Sequence, residues 1–320
     1  MQPEKLTAPA VRAVTLIWVP TAEAAAALDG LAGAQVQQVA PDGGDLPPSA
    51  AEVKFYVPPF FPAPPAIAAI QQMPRLAVVQ ALTAGVDRLL ARLPEGITLC
   101  NARGAHDAST AEWVVAAILG ALREFPHFAV EQAAGRWSYQ FTDCLAGKTV
   151  LIVGYGSIGA AVERRLAGFE VAVRRVARSA RDGATPVAPV SQVGDFLPEA
   201  DVVVVLAPVT AETTGMVDAA FLARMKDGAL LVNAARGSLL VTDALCAELR
   251  RGRLIAALDV TDPEPLPPGH PLWTLPGVFF TPHVAASTPV STARALSLVR
   301  DQAERFINGE PLRNVISGAY

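Results

Sequence analysis

The sequence is short of charge, cysteine and histidine, and each shortage excludes a class of protein. Only 18% of its 320 residues are charged while 52% are hydrophobic, which argues against disorder and allows a large core. A net charge of −4 gives no reason to expect a nucleic acid or an anionic membrane as partner. Three widely spaced cysteines make no disulfide framework, and without a CxxC or Cys/His cluster no metal site is expected.

Long hydrophobic runs are also missing. The run "WVVAAILGAL" (113–122) is well short of the ~20 apolar residues that a membrane span needs. The first residues, "MQPEKLTAPAVRAV", contain a proline and a glutamate early and no apolar core of signal-peptide length. We therefore expect a cytoplasmic protein that binds no membrane and keeps its thiols reduced.

What the sequence does have is an alternation of short apolar runs with helix-period segments, which is typical of an α/β protein. Its length suggests about two domains. Strands are predicted in the first third at 13–19, 53–57, 76–82 and 98–100. A helix is predicted at 21–33, with Thr21 as N-cap. A longer apolar helix is predicted at 108–125, where we expect the second domain to start.

From Thr149 the alternation is more regular and predicts a doubly wound parallel sheet of the Rossmann type. The runs that predict its strands are 149–154, 170–173, 201–208, 229–235, 254–260 and 278–284. They lean apolar rather than alternating, as strands buried on both faces of a parallel sheet do. A closing helix is predicted at 288–309.

The segment "VGYGSIG" has Gly154, Gly156 and Gly159 at GxGxxG spacing, between a predicted strand and a predicted helix. Gly154 permits a tight turn, Gly156 lets the backbone approach a pyrophosphate, and Gly159 lets the helix pack on the strand. The N–H groups that begin the helix, around Ser157 and Ile158, offer donors to phosphates. The segment therefore predicts a dinucleotide site.

The next strand breaks the usual pattern of such sites, in which an acid accepts a hydrogen bond from the ribose 2′-hydroxyl. Here the position falls in "RRVARSARDG", and no acid occurs between Glu170 and Asp182. Arginine pairs with a 2′-phosphate and serine donates to it, so Arg175, Arg178 and Ser179 favour NADP(H). The alternative is that these arginines are merely solvated at the surface and the protein accepts NAD(H) as well as NADP(H).

Four polar residues accompany three successive late strands. Arg236 follows the run at 229–235, Asp259 and Glu264 come at and beyond the end of the next, and His283 comes with the last. Because ligands bind at the carboxyl edge of open α/β sheets, these residues form a candidate site. Plain alternatives are a surface ion pair for Arg236, a solvent loop for Glu264 and a structural role for His283.

These segments together resemble the D-isomer-specific 2-hydroxyacid dehydrogenase family over nearly the whole chain. The resemblance is carried by "VGYGSIGAAV", "ADVVVVLAPVTAETTGMVD", "MKDGALLVNAARGSLLVTDAL", "ALDVTDPEPLP" and "TPHVAAST", in this order and spacing. It implies that His283, paired with Glu264, donates a proton to the keto oxygen as hydride arrives. A carboxylate beside an imidazole favours the protonated, donating form. Arg236 matches the guanidinium that grips the substrate carboxylate.

The resemblance also implies the remaining contacts. Asp259 matches the residue that holds the nicotinamide carboxamide, and the segment around "LAP" adds Pro208 and Thr213 to the cofactor site. The segment "LTAGVDRL" matches the substrate-carboxylate loop, whose backbone N–H groups lie around Ala84, Gly85 and Val86. The stretch "PPFFPAPP" is unusual for the family and is similar to a loop of formate dehydrogenases. Its Phe60, with Phe61, either roofs the site or packs as an ordinary loop.

The expected protein is an NAD(P)-dependent D-2-hydroxyacid dehydrogenase with a Rossmann cofactor domain at 103–287. A flavodoxin-like substrate domain is expected from 1–102 and 288–320. The expected activity is NADPH-dependent reduction of a small 2-keto acid such as glyoxylate, hydroxypyruvate or phenylpyruvate. A homodimer is expected, with the 108–125 helix as contact surface. Two alternatives stay open: a dinucleotide-sensing corepressor without turnover, and a formate dehydrogenase, against which Glu264 argues because those enzymes carry glutamine there.

Overall fold

A computed structural model describes residues 14–317 of the chain. By their internal contacts these residues form two compact units. The first unit comprises the described residues up to Ala102 together with Ala293–Ser317, and the second comprises Arg103–Thr292. The sequence-based limit lies at 287–288, whereas the contacts divide the chain within the last helix.

The first unit is built on a five-stranded parallel sheet in the order β2-β1-β3-β4-β5. Its strands are β1 (Thr15–Val19), β2 (Ala34–Gln38), β3 (Val53–Tyr56), β4 (Val78–Gln80) and β5 (Thr98–Cys100). Its short helices are α1 (Ala22–Ala27), α2 (Pro64–Ala68) and α3 (Asp87–Leu90). This strand order is that of flavodoxin-like folds, so the predicted fold class of this unit is confirmed.

Several elements of the first unit differ from the sequence prediction, among them β2 and α1. Strand β2 was not predicted, because "AQVQQ" lies at the sheet edge and lacks the apolar run that marks a strand buried on both faces. Helix α1 begins as predicted, with the Thr21 hydroxyl accepting a hydrogen bond from the Ala24 N–H. It ends after Ala27 instead of 33, and Gly30 turns the chain at a φ of +69°.

The second unit contains a seven-stranded parallel sheet in the order β12-β11-β10-β9-β6-β7-β8. Its strands are β6 (Thr149–Val153), β7 (Ala172–Ala177), β8 (Ala188–Pro189), β9 (Val202–Val205), β10 (Leu230–Asn233), β11 (Ile255–Leu258) and β12 (Val278–Phe280). The chain starts at central β6, runs to one edge, and then returns past β6 to the other edge. This is the doubly wound Rossmann topology, and the predicted fold class is confirmed.

Helices cover both faces of this sheet. They are α4 (Asp107–Leu122), α5 (Phe125–Ala133), α6 (Ser157–Leu166), α7 (Val193–Phe196), α8 (Ala219–Arg224) and α9 (Thr242–Arg250), and the long α10 (Pro289–Asn308) starts in this unit. Successive side chains of β6 enter opposite cores: Leu151 lies in one hydrophobic cluster and Ile152 in the other. The strand is therefore buried on both faces, as its uninterrupted apolar run predicts.

Several boundaries in the second unit differ from prediction, and three of them move a site residue or shorten a helix. Strand β7 runs to Ala177, so Arg174 and Arg175 lie within it rather than beyond it. Strand β12 stops at Phe280, which places His283 in the following loop. The 108–125 helix ends early, because Glu124 adopts a left-handed φ of +52° before α5 begins.

Among the described residues no single helix is both long enough and apolar enough to cross a membrane. Only α4 and α5 taken together have that length and composition, and they are bent by 65° at their junction.

Candidate active site

The glycine loop after β6 has the geometry that a dinucleotide requires. Gly154 has a φ of +98°, and a Cβ built there would lie 2.3 Å from the backbone nitrogen of Ala207. No side chain fits at that position. A Cβ at Gly156 meets no atom within 4 Å, and this residue is exposed in extended conformation directly before α6. The loop is therefore closed on the sheet side and open on the other, which fits a pyrophosphate held against the backbone.

Helix α6 begins at this loop. Its first-turn N–H groups, which include those of Ser157, Ile158 and Gly159, have no carbonyl of their own helix to bind, so they and the helix dipole favour an anion. Gly159 allows close packing, since a Cβ there would meet Ile152 at 3.2 Å. The Ser157 hydroxyl donates to the Asp107 carboxylate at 3.1 Å, which ties the starts of α6 and α4 together.

The arginines at the end of β7 divide into two groups. Arg175 forms a bidentate ion pair with Glu163 of α6, and its guanidinium lies over the Tyr155 ring. This pairing lowers the pKa of Glu163 and raises that of Arg175. Arg178 and Ser179 are exposed just past the strand. Sequence reasoning missed Arg181, which donates to the Tyr155 carbonyl oxygen and also lies over its ring.

The loop after β9 contains Pro208 and Thr213. The Thr213 hydroxyl donates to the Pro208 carbonyl oxygen at 2.7 Å and accepts from the Thr210 N–H at 2.7 Å. Pro208 is exposed, and Leu206 before it is half-buried. Thr213 thus stabilises the loop that follows β9, and this loop is next to the glycine loop because β9 pairs with β6.

His283 and Glu264 form a close pair. The imidazole Nδ1 lies 2.7 Å from Glu264 Oε1, and the two side chains are 25% and 31% exposed. Glu264 follows β11 and His283 follows β12, so neighbouring parallel strands bring them together. Nδ1 faces the carboxylate, and Nε2 is the other ring nitrogen, on the opposite side of the imidazole.

Arg236 follows β10, the next strand of the sheet, and its turn is built by the buried Asn233. The Asn233 amide donates to the Arg236 carbonyl oxygen at 2.9 Å and accepts from the Ala235 N–H at 3.1 Å. Gly237 then allows a close backbone crossing, because a Cβ there would lie 2.0 Å from the Thr261 carbonyl oxygen. Asn233, a polar residue that ends an apolar run, was missed by sequence reasoning.

Asp259, directly after β11, is only 2% exposed. Its carboxylate accepts three hydrogen bonds from the loop that carries His283: the Thr281 hydroxyl at 2.6 Å and the N–H groups of Val284 and Ala285, both at 2.9 Å. An ionised carboxylate has about four acceptor positions, so one position on Oδ2 remains for a ligand. Thr281 was not among the predicted site residues.

The family of the chain is established by comparison with known proteins. The model of the "D-isomer specific 2-hydroxyacid dehydrogenase, NAD binding domain" matches residues 115–285, which include the glycine loop, Arg236, Glu264 and His283. The chain belongs to the D-isomer-specific 2-hydroxyacid dehydrogenase family. The prediction of an oxidoreductase of this family is confirmed.

Relatives in this dehydrogenase family carry several names. The chain is 33% identical to a D-3-phosphoglycerate dehydrogenase of Archaeoglobus fulgidus over 78% of its own length, but it spans only 48% of that relative. It is 35% identical to a glyoxylate reductase/hydroxypyruvate reductase of Mus musculus, over 70% of this chain and 71% of the other. A solved family member from Xanthobacter autotrophicus, in complex with NADPH and MES, superposes with a TM-score of 0.82 at 30% identity. That alignment covers 95% of this chain and 98% of the other.

The dehydrogenase's other predicted residues lie in the first unit, on two loops at the carboxyl ends of paired strands β3 and β4. After β4, the Ala84 carbonyl oxygen accepts from the Asn101 side chain at 2.7 Å, and the Gly85 carbonyl oxygen accepts from the Thr83 hydroxyl at 2.7 Å. Val86 is buried, and it precedes α3. After β3, half-buried Phe60 packs edge to face on exposed Phe61, with ring centroids 5.1 Å apart.

The predicted site residues of the second unit therefore lie along one edge of one sheet, except Arg175, which lies within β7. From one side of the sheet to the other they follow β12, β11, β10, β9, β6 and β7: His283; Asp259 and Glu264; Arg236; Pro208 and Thr213; Gly154, Gly156, Ser157, Ile158 and Gly159; Arg178 and Ser179. Sequence reasoning missed residues such as Asn233, which ends β10, and Thr281, which directly follows β12. Their side chains hold the loops of this edge.

Proposed function

We propose that the protein reduces small 2-keto acids to D-2-hydroxy acids, with glyoxylate, hydroxypyruvate or phenylpyruvate as substrate and NADPH as preferred cofactor. The observation that carries this proposal is the 2.7 Å contact between His283 Nδ1 and Glu264 Oε1, on loops neighbouring that of Arg236. This arrangement supplies one proton donor and one cationic clamp, the two groups that reduction of a keto acid needs from side chains.

In the proposed reaction the reduced nicotinamide supplies the hydride when it is bound. Arg236 binds the substrate carboxylate through its planar guanidinium and orients the carbonyl carbon. His283 donates the proton on Nε2 to the carbonyl oxygen, which becomes the hydroxyl of the product. Glu264 accepts the Nδ1–H hydrogen bond, which fixes the orientation of the ring.

The cofactor assignment rests on the edge between β6 and β7. The glycine loop and the first turn of α6 would hold the pyrophosphate, and the free acceptor position of Asp259 would hold the nicotinamide carboxamide. We assign the 2′-phosphate to Arg178 and Ser179, which are exposed just past β7, with Arg175, which pairs with Glu163, as a support. The NADPH complex of the Xanthobacter autotrophicus relative supports this preference, and NAD(H) is the alternative cofactor.

We assign the substrate domain to the first unit and the cofactor domain to the second. The backbone N–H groups around Ala84, Gly85 and Val86 would bind the substrate carboxylate. Phe60 would contact the substrate side chain and favour an apolar one. We place the reaction in the cytoplasm, where Cys100 and Cys246 stay as the free thiols that they are in the structure.

We further propose a homodimer formed through α4 and α5. An apolar groove of about 360 Å³ lies there, lined by Trp113, Ala116, Ala117, Gly120, Phe125, Pro126, Ala129 and Phe279. The segment after α5 exposes Trp137, Tyr139 and Phe141 at 98%, 79% and 90%. A groove and an aromatic segment on the same unit allow a second copy to bury both reciprocally. Light scattering tests the dimer, and Phe125→Glu is expected to yield monomers.

The activity is tested by following the loss of reduced nicotinamide absorbance with each of the three keto acids, using NADPH and NADH in parallel. We expect turnover with at least one keto acid and a lower KM for NADPH than for NADH. Preference for NADH would keep the reductase but overturn the role of Arg178 and Ser179. No turnover with tight cofactor binding by titration would instead favour the dinucleotide-sensing corepressor, and NAD-dependent oxidation of formate would favour a formate dehydrogenase.

A further inference from the structure

His283 has a backbone conformation that a histidine rarely adopts. Its φ is +56°, in the left-handed region that few residues with a Cβ adopt. Such a conformation persists only when its surroundings hold it. The orientation of the imidazole therefore depends on whatever holds the turn 281–285.

The turn is held by Asp259 at the end of β11. The Asp259 carbonyl oxygen accepts from the His283 N–H at 2.7 Å. Its carboxylate accepts from the Val284 N–H through Oδ1 and from the Ala285 N–H through Oδ2. Three consecutive amides thus converge on one buried acid, and the turn follows the position of that carboxylate.

The carboxylate is in turn held by Thr281. The Thr281 hydroxyl donates to Asp259 Oδ1 at 2.6 Å, and the Thr281 N–H binds the Leu258 carbonyl oxygen at 2.9 Å, which anchors Thr281 to the sheet. A hydrogen bond from a hydroxyl to an ionised carboxylate is among the strong ones. Without the hydroxyl, Oδ1 keeps the Val284 amide as donor and the carboxylate is freer to rotate.

We propose that Thr281 is a positioning residue for the proton donor, acting through Asp259 to hold the His283 turn and the Nδ1 contact with Glu264. The proposal rests on the proposed reductase function for its kinetic consequence, but its structural part is independent of turnover. A displacement of about 1 Å of a catalytic group costs up to about 100-fold in rate.

The test compares Thr281→Val, which keeps the shape and removes the hydroxyl, with Thr281→Ser, which keeps the hydroxyl. Thr274→Val is the matched control, because Thr274 is exposed in the same unit and its hydroxyl makes only a 3.4 Å contact with the Pro271 carbonyl oxygen. For each variant, kcat with the best keto acid, the Kd of NADPH by fluorescence titration and the thermal midpoint are measured.

A second measurement does not depend on activity. The chain has four histidines, so ¹⁵N labelling of histidine gives few ring signals, and His283→Gln identifies that of His283. The ¹⁵N shift of Nδ1 at fixed pH reports its hydrogen bond to Glu264. If Thr281→Val does not fold, Thr281→Cys, with a weaker donor in about the same space, takes its place.

We expect Thr281→Val to lower kcat about 10- to 100-fold, to change the NADPH Kd less than about threefold, and to move the Nδ1 signal. Thr281→Ser restores kcat to within about threefold and restores the signal. An unchanged Nδ1 signal overturns the proposal, as does a loss of kcat that Thr281→Ser does not restore. If the wild-type protein reduces no keto acid, the proposed function fails, and the Nδ1 signal alone decides the role of Thr281.

Discussion

The two sheets of this chain share a parallel architecture and differ in the residues at the carboxyl ends of their strands. In the second unit the strands lead into titratable side chains, namely Arg236, Asp259 and His283. In the first unit β3 leads into a loop of proline and phenylalanine, and β4 into the small residues around Gly85. One sheet therefore presents charge at its carboxyl edge, whereas the other presents backbone groups and apolar surface.

This difference shows that the fold and the reactive groups are specified separately. Both topologies bring loops to one edge of a sheet, but only the residues that follow the strands decide which chemical groups that edge carries. We assign proton transfer and charge recognition to the second unit and substrate shape to the first. Variants at the two edges should accordingly differ in size and kind of effect.

The largest effect is expected at His283. His283→Asn removes the proton donor, and general acid catalysis contributes about 10²- to 10⁴-fold, so kcat/KM for the keto acid should fall by that range. The NADPH Kd should stay within about threefold. His127→Asn, on the exposed helix α5, is the control and should leave steady-state kinetics unchanged. Retention of more than a tenth of the activity by His283→Asn would contradict its role.

Arg236 is expected to rank second. Lysine keeps the positive charge but lacks the planar fork, so Arg236→Lys should raise KM for the keto acid about 10- to 100-fold and lower kcat. Arg250→Lys, an exposed change on α9, serves as control. If KM rises by the same factor for the keto acid and for NADPH, the assignment is contradicted, because the substitution would then have disturbed the second unit generally.

A smaller effect is expected at the cofactor edge. Arg178→Ala should raise KM for NADPH about tenfold and leave KM for NADH within about twofold, because NADH has no 2′-phosphate to pair with this guanidinium. Arg174→Ala is the control, because it removes the same charge from the same strand region. Arg174 lies within β7, and its guanidinium is 3.8 Å from the Glu199 carboxylate. If both variants change the NADPH/NADH ratio alike, the effect is long-range charge rather than contact.

The first unit should respond by selectivity rather than rate. Phe60→Ala removes an apolar surface, and even a single methylene group in a hydrophobic pocket is worth about 1–3 kcal/mol of discrimination. Since Phe60 is only half-buried, we expect about a three- to tenfold loss of preference for phenylpyruvate over glyoxylate. Phe196→Ala, in the second unit, controls for loss of an aromatic side chain. Equal losses for both substrates would assign Phe60 to loop packing.

The smallest effect concerns the thiols, where the buried cysteine of each unit should behave alike. Burial raises the pKa of Cys100 to about 11 and also raises that of Cys246, whereas Cys144 is exposed. At pH 8 only about one Cys100 in a thousand would be thiolate, the reactive form, and more would form as the pH rises towards 11. A thiol reagent should therefore modify one cysteine in the native protein and three after unfolding. Cys144→Ser should abolish the native reaction.

Sequence reasoning predicted most of the sheet and a set of candidate site residues, but not the residues that support them. Apolar runs identified β6, β9, β10 and β11 because strands buried on both faces carry a strong signal. The edge strand β2 escaped because its residues are mostly polar and none of them is fully buried. Thr281 escaped for a different reason: its importance lies in a hydroxyl contact with Asp259, 22 residues away in sequence.

By itself the sequence determined the family, the doubly wound sheet and the glycine loop, and it predicted Arg236, Glu264 and His283 as site residues. These depend on local spacing, since strand, turn and helix signals act over a few residues. Only the tertiary structure decided that Glu163 engages Arg175, that Asn233 builds the Arg236 turn, and that Thr281 and Asp259 hold His283 in a left-handed conformation. The physical reason is that a hydrogen bond needs its two groups within about 3 Å of each other. The folded arrangement of strands, helices and loops brings the groups to that distance.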